Sequence, residues 1–232
     1  MHLNDISDED LEDRLMDERN LNLICESWRQ AHRRLLHPDV IVPVEELPDR
    51  VGLKAVLGEV KEKVDSFLGV SEIKPPCVYY SGILDFICEN LISICNDLKW
   101  KSADEIPSHY SPFGIGISKK EACINLPGTI AHEYAHHVQS TSGVGLVRGT
   151  ACTEGHAYGV GMYISDYYSI SDKSIWFSFH RIHGLLKQHK KANNPGDCHC
   201  MGAAAFYIEE MEQGRQIYRQ LLDGTFEFKV LK

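Results

Sequence analysis

One stretch in the middle of the chain decides the fold, and it reads Gly128-Thr129-Ile130-Ala131-His132-Glu133-Tyr134-Ala135-His136-His137-Val138-Gln139. Its apolar residues recur every three to four positions, which predicts one face of a helix that begins at Gly128 and Thr129. His132 and His136 are four residues apart, so both imidazole rings leave the same side of that helix. The stretch therefore predicts a helix that presents two histidines together.

The pattern His-Glu-x-x-His has a physical basis as a zinc site. Two imidazoles one turn apart can bind one Zn2+ at about 2.0–2.1 Å each. Glu133 lies one step further round the helix, where it can take a proton from a water molecule at the metal without becoming a ligand. A surface helix with two solvated histidines is the alternative, and the amphipathic setting favours the metal site.

A third zinc ligand is expected from the next apolar-periodic run, residues 151–168. Seventeen residues separate His136 from Glu154, which allows a helix end, a reversal and a returning helix. A Glu154 oxygen would complete a His2Glu site and leave the fourth tetrahedral position open. His156 competes for this role, but two residues along a helix turn a side chain by about 200°, so only one of the two can face the metal. We predict Glu154.

These residues resemble those of the gluzincin metallopeptidases, the group that includes thermolysin and the single-domain minigluzincins. The resemblance lies in His132-Glu133-Tyr134-Ala135-His136 followed by Thr153-Glu154-Gly155. It implies a zincin fold, a bound Zn2+ and hydrolysis of peptide bonds, with the second helix as the "glutamate helix". There is one departure, because Tyr158 stands where thermolysin-type enzymes carry an Asp that orients a ligand histidine. Another group must fix that imidazole here.

His199 is the second residue to which the resemblance gives a catalytic role. Thermolysin-like enzymes place a transition-state histidine just before a glycine-containing final helix, and His199 precedes Gly202 in such a helix. The alternatives are an uninvolved surface histidine and a metal site formed by Cys198, His199 and Cys200. Tyr163 and Tyr207 are further candidates for a second hydrogen-bond donor to the transition state.

The chain as a whole predicts an α+β protein that is predominantly helical. Residues 1–70 read as helices and are expected to form a support wall or a segment that covers the cleft. Residues 71–232 are expected to form the zincin-like domain, with a small antiparallel sheet, the active-site helix and the glutamate helix. Pro43 and Pro48 bracket the connector that is the best candidate for the boundary.

Residues 113–126 are predicted to form a β-hairpin that leads into the zinc helix. One arm of this hairpin is expected to be an exposed edge strand, to which an extended peptide or protein substrate could add as a further strand. Gly114 and Gly116 would permit the close approach of another backbone.

Composition excludes some other functions. Lys and Arg number 24 against 33 Asp and Glu, a net charge of −9, and no basic patch that would suit a phosphate backbone is visible. Neither a signal peptide nor a membrane-spanning stretch is seen, so we expect a cytoplasmic protein with reduced cysteines and no nucleic-acid or membrane partner.

Two functions therefore remain at the level of the sequence. The first is zinc-dependent hydrolysis of peptide bonds, with Glu133 as general base and then general acid, and His132, His136 and Glu154 as zinc ligands. The second is a non-catalytic zinc module that binds a partner in the same cleft. The presence of Glu133 favours the first, since a purely structural zinc site has no use for that carboxylate.

Overall fold

Helices make up most of the protein, as a computed structural model describes it for residues 7–33, 41–81, 107–112, 114–144, 151–192 and 195–231. The helices are α1 Asp8–Leu15, α2 Leu21–Arg33, α3 Arg50–Leu68, α4 Lys119–Thr141, α5 Ala151–Tyr167, α6 Ser174–Lys187, α7 Pro195–Gln213 and α8 Gln216–Leu222. Three short strands, β1 Val78–Tyr80, β2 His109–Ser111 and β3 Gly114–Ile117, form one sheet. The predicted α+β, predominantly helical class is confirmed.

Two hydrophobic clusters lie on either side of the helix pair α5 and α7. The first cluster joins α3, the sheet, α4 and α8 to residues such as Val160 and Phe206. The second cluster joins α1, α2 and α6 to residues such as Met162 and Tyr207. The helix that carries Glu154 and the helix that carries His199 are therefore buried between two cores, which fixes both of them in place.

The sheet differs from the one expected. Its strand order is β1-β3-β2, with β1 parallel and β2 antiparallel to β3, so the sheet is mixed rather than antiparallel. Because β3 has a partner on each side, the prediction of an edge strand within 113–126 is wrong for this strand. The second predicted arm is wrong too, since residues 119–124 continue as helix after Ser118. Phe113 lies outside the described residues.

The helix α4 consists of two segments joined at Asn125. This residue has φ −159° and ψ 72°, and its side-chain Oδ1 accepts a hydrogen bond from the amide of Gly128 at 3.0 Å. Asn125 thus caps the second segment of α4, which carries His132 and His136. Pro127 lies in the first turn of this segment, where an N–H would have no intrahelical acceptor, so its absence does not destabilise the helix. The expected start at Gly128 and Thr129 was therefore two to three residues late.

The N-terminal helices α1 and α3 form hydrogen bonds with α4 and α5, the two helices that carry the predicted metal ligands. Tyr134, fully buried on α4, donates a hydrogen bond to Asp65 Oδ1 of α3 at 2.9 Å, and Lys61 Nζ lies 2.5 Å from Asp65 Oδ2. On the other side, Asp8 of α1 accepts a hydrogen bond from the amide of Ala151 at the start of α5. A carboxylate at this end of a helix also opposes its dipole favourably. The division at residue 70 and a covering role for residues 1–70 stay predictions.

Within the described ranges, no helix combines the length and hydropathy needed to cross a bilayer. No disulfide joins the six cysteines found there, which are Cys25, Cys77, Cys123, Cys152, Cys198 and Cys200.

Helix α5 crosses α7 at a point where only glycine fits. A Cβ atom on Gly202 would overlap the carbonyl oxygen of Ala151, and one on Gly155 would overlap the carbonyl oxygen of Gly202. A Cβ on Gly128 would likewise lie 2.5 Å from Ser165 Oγ where α4 meets α5. These close approaches bring three backbones together, and with them the side chains that form the site.

We expect Gly202→Ala to lower the free energy of unfolding by about 3 kcal/mol, because overpacking a closely packed core costs this much. Gly184→Ala in α6 is the matched control, since a Cβ there meets nothing within 4 Å. The control should be neutral or up to about 1 kcal/mol more stable, because alanine favours a helix. Urea unfolding followed by circular dichroism measures both changes, and equal values for the two variants would contradict the close crossing.

Candidate metal centre

The ligand atoms of His132, His136 and Glu154 form a nearly equilateral triangle. The two Nε2 atoms are 3.3 Å apart, and Glu154 Oε2 lies 3.4 Å from His132 Nε2 and 3.5 Å from His136 Nε2. Donor atoms bound tetrahedrally at about 2.0–2.1 Å are about 3.3–3.4 Å apart, since a tetrahedron's edge is about 1.63 times its centre-to-corner distance. The three atoms therefore match three corners of a zinc tetrahedron.

Two helices supply this triangle. His132 and His136 come from successive turns of α4, and Glu154 comes from the first turn of α5. The side chains are 18%, 9% and 13% exposed respectively, so the triangle is covered without being sealed. The structure thus brings together all three metal ligands that the sequence predicts.

The charges of the triangle are strongly coupled. Burial alone would raise the pKa of Glu154, but hydrogen bonds from His132 and His136 hold that pKa far below its usual value. Burial also disfavours a charge on His136, but its hydrogen bond to Glu154 and the nearby carboxylates raise the pKa of the imidazole to about 9. Without a metal, a proton on His136 therefore compensates the charge of Glu154, and a metal ion has to displace that proton.

Glu133 is buried beside the ligands and is not one of them. It is 5% exposed, and its burial raises the pKa of the carboxyl group, while the imidazoles of His132 and His136 act in the opposite direction. A carboxyl group with a raised pKa next to a metal site can both accept and return a proton.

His199 faces the triangle from the fifth residue of α7. Its Nε2 atom is 3.6 Å from Glu154 Oε1, and 37% of its side chain is exposed. Burial lowers the pKa of this imidazole, which favours the neutral form. Within the described residues, Cys198, His199 and Cys200 do not bring three ligand atoms together as a metal site would require, and both cysteines pack against the second hydrophobic cluster.

His156 is turned away from the triangle, and the helical geometry predicts that Glu154 and His156 cannot both face it. It is fully buried, its Nε2 lies 3.0 Å from the carbonyl oxygen of Tyr218, and its Nδ1 lies 2.9 Å from Gln139 Nε2. Burial lowers the pKa of His156 to about 3. The structure therefore places Glu154, rather than His156, beside the two histidines.

The two tyrosines considered as donors to the transition state have packing contacts. Tyr163 stacks on Phe67 with ring centroids 4.1 Å apart, and Tyr207 meets Phe179 edge-on at 5.6 Å. The tyrosine ring in contact with the triangle is instead Tyr158, whose centroid lies 4.7 Å from that of His132.

Two residues near the site, Gln139 and His109, were missed at the level of the sequence. Gln139 Oε1 lies 2.9 Å from His136 Nδ1, and the spacing of three residues on one helix could have revealed it. His109 of β2 carries no such signal, yet its imidazole acts on the pKa of Glu133, because the fold alone brings β2 to α4.

Comparisons with protein-family models, with curated proteins and with solved structures give no match to this chain.

The triangle predicts zinc binding with release of about one proton at pH 7, since the pKa of His136, about 9, keeps a proton on the metal-free site. Because zinc competes with the proton on His136, zinc affinity should increase as pH rises toward 9. Above that pH His136 is already neutral, and zinc binding should no longer release its proton. Calorimetric titration in buffers with different ionisation enthalpies counts the protons. Glu154→Gln should lose most of the affinity, and a chain that binds zinc at pH 7 without releasing a proton would contradict the coupling.

Proposed function

We propose that the protein is a zinc-dependent hydrolase of peptide bonds, of the gluzincin type. One observation carries the proposal: three donor atoms lie 3.3–3.5 Å apart, as a zinc tetrahedron requires, and Glu133 is buried next to them. An open fourth position and a nearby carboxylate that is not a ligand distinguish catalytic from structural zinc sites.

Each residue of the site has a role that its environment supports. Zinc, when bound, lowers the pKa of water and polarises a carbonyl group. Glu133 takes the proton from the attacking water and later passes it to the leaving amine, a role that its raised pKa suits. His132, His136 and Glu154 hold the ion, and Glu154 also leaves one oxygen facing His199.

His199 is proposed as the second donor to the transition state. Its position beside Glu154, outside the triangle, lets it reach the open side of the site without taking a ligand place. Its remaining exposure lets the ring contact a bound substrate. A neutral imidazole can donate one hydrogen bond to the negative charge that develops on the carbonyl oxygen.

The substrate is proposed to bind along β2. Among the described strands, β2 lies at an edge of the sheet and packs against α4, whereas the strand at the other edge, β1, packs against α3. His109 of β2 is also close enough to act on the pKa of Glu133. An extended peptide that adds to the outer edge of β2 would place a backbone carbonyl near the triangle. This replaces the strand within 113–126 expected from the sequence.

The second candidate is a non-catalytic zinc module. The buried position of Glu133 favours hydrolysis over this alternative, because burying a carboxylate that binds no metal costs free energy and gives a purely structural site nothing in return.

Glu133→Gln is expected to leave zinc binding intact and to lower kcat by about 100- to 10,000-fold, the range for loss of a general base. Glu62→Gln, the same change on an exposed face of α3, is the control and should leave kcat unchanged. The assay is hydrolysis of casein or a peptide library, with a chelator to remove the activity and zinc to restore it. A Glu133→Gln variant that loses the metal, or one that still hydrolyses the substrate, would reject the proposed roles.

His199→Gln is expected to lower kcat by about 100- to 1,000-fold, as loss of one transition-state donor does. Its zinc affinity should stay close to that of the unchanged chain, because the three ligand atoms remain. His180→Gln on the exposed side of α6 serves as control. Metal analysis after dialysis, together with kcat and KM, separates the two effects, and a large loss of zinc would show that His199 is a ligand.

A further inference from the structure

A chain of buried polar groups runs behind His136, and the proposed chemistry does not use it. Gln139 of α4 and His156 of α5 are both fully buried. A buried polar group left without a hydrogen bond costs about 1–3 kcal/mol, so apolar side chains would be the simpler filling for this part of the core. The two residues are therefore expected to serve the site that they adjoin.

The contacts of the chain link the metal centre to the last helix. Gln139 Oε1 lies 2.9 Å from His136 Nδ1, and Gln139 Nε2 lies 2.9 Å from both the carbonyl oxygen of Thr153 and His156 Nδ1. His156 Nε2 then lies 3.0 Å from the carbonyl oxygen of Tyr218 in α8. The amide oxygen and nitrogen of Gln139 and both ring nitrogens of His156 therefore all have hydrogen-bond partners.

The direction of these hydrogen bonds follows from the groups at which the chain ends. A backbone carbonyl only accepts, so His156 Nε2 carries the hydrogen and donates it to Tyr218. The neutral ring then accepts at Nδ1, which requires the amide nitrogen of Gln139 to face it. The carbonyl of Thr153 independently requires the same orientation of the amide. Gln139 Oε1 must therefore face His136, and it accepts the hydrogen from Nδ1.

We infer that Gln139 and His156 are positioning residues that hold His136 with its hydrogen on Nδ1 and its Nε2 lone pair directed at the metal. The inference rests on the metal binding of the proposed function. It supplies the orienting group that Tyr158 cannot provide for this imidazole, since the Tyr158 ring contacts His132. Thermolysin-type enzymes use the carboxylate of an Asp to orient a ligand histidine, whereas here the neutral amide of Gln139 would do so. The amide fixes the tautomer of His136 without adding negative charge near the zinc.

The tautomers can be read directly by long-range 1H–15N NMR of protein labelled with 15N-histidine. We expect His156 to carry its hydrogen on Nε2 with or without zinc, and His136 to carry its hydrogen on Nδ1 when zinc is bound. His156→Gln and His136→Gln variants assign the two signals. A His156 ring protonated on Nδ1, or a zinc-bound His136 ligated through Nδ1, would overturn the inference even if the enzyme is active.

Substitutions at Gln139 separate positioning from packing. Gln139→Met has a similar volume and no acceptor, and we expect it to weaken zinc binding by about 10- to 100-fold, the usual effect of losing an orienting partner. Gln139→Glu keeps an acceptor for His136 but gives no hydrogen to Thr153 or His156. It should recover most of the lost zinc affinity while its metal-free form stays less stable to urea than the unchanged chain. Gln188→Met, an exposed counterpart, controls for the chemical change.

The outcomes distinguish the two proposals. Zinc affinity in Gln139→Met equal to that of the unchanged chain, or equal losses in Gln139→Met and Gln139→Glu, would overturn the positioning role alone. No zinc binding by the unchanged chain would overturn the proposed function and the positioning role with it. Competition with a chromophoric chelator measures the affinities, and urea unfolding of the metal-free proteins measures the stabilities.

Discussion

Three donor atoms on two helices must stay within 3.5 Å of one another, and the rest of the structure meets this requirement. Side chains of this kind do not gather in a protein interior unless their charges are compensated, because water no longer solvates them. In the metal-free chain a proton shared between His136 and Glu154 provides the compensation, and a divalent cation could replace that proton. The same atoms could therefore hold a cation without a large rearrangement.

The precision of the triangle depends on backbone distances rather than on the side chains alone. Gly155 and Gly202 let α5 and α7 approach to van der Waals contact, and Gly128 does the same between α4 and α5. The hydrogen bond from Tyr134 to Asp65 holds α4 against α3 from the opposite side. An arrangement with so little freedom costs little further ordering when a ligand binds, which is the usual origin of tight and selective metal sites.

The sequence predicted the parts of the site that depend on helical periodicity. The positions of His132, Glu133 and His136 follow from one helix, and the angle of about 200° between the side chains of Glu154 and His156 predicts that only one of these two can join the histidines. The sheet could not be predicted in the same way, because a short strand such as β3 becomes central or peripheral only through distant partners, here β1 and β2. Residues 119–124 were misread as the turn and the second arm of a hairpin, although Lys, Glu and Ala favour a helix. The contact between Gln139 and His156 also escaped prediction, since it depends on how two helices cross.

The position of the ligands along the chain has a consequence for the order of folding. His132, His136 and Glu154 fall within 23 consecutive residues, so the loop that must close to gather them is short and its entropic cost is small. The hydrogen bond from His156 to Tyr218, in contrast, spans 62 residues. Under the proposed function, a nascent hairpin of α4 and α5 could bind an ion early, whereas the His156 imidazole would acquire its final orientation only when α8 docks. Under the proposed function, zinc would therefore stabilise a folding intermediate as well as take part in the reaction.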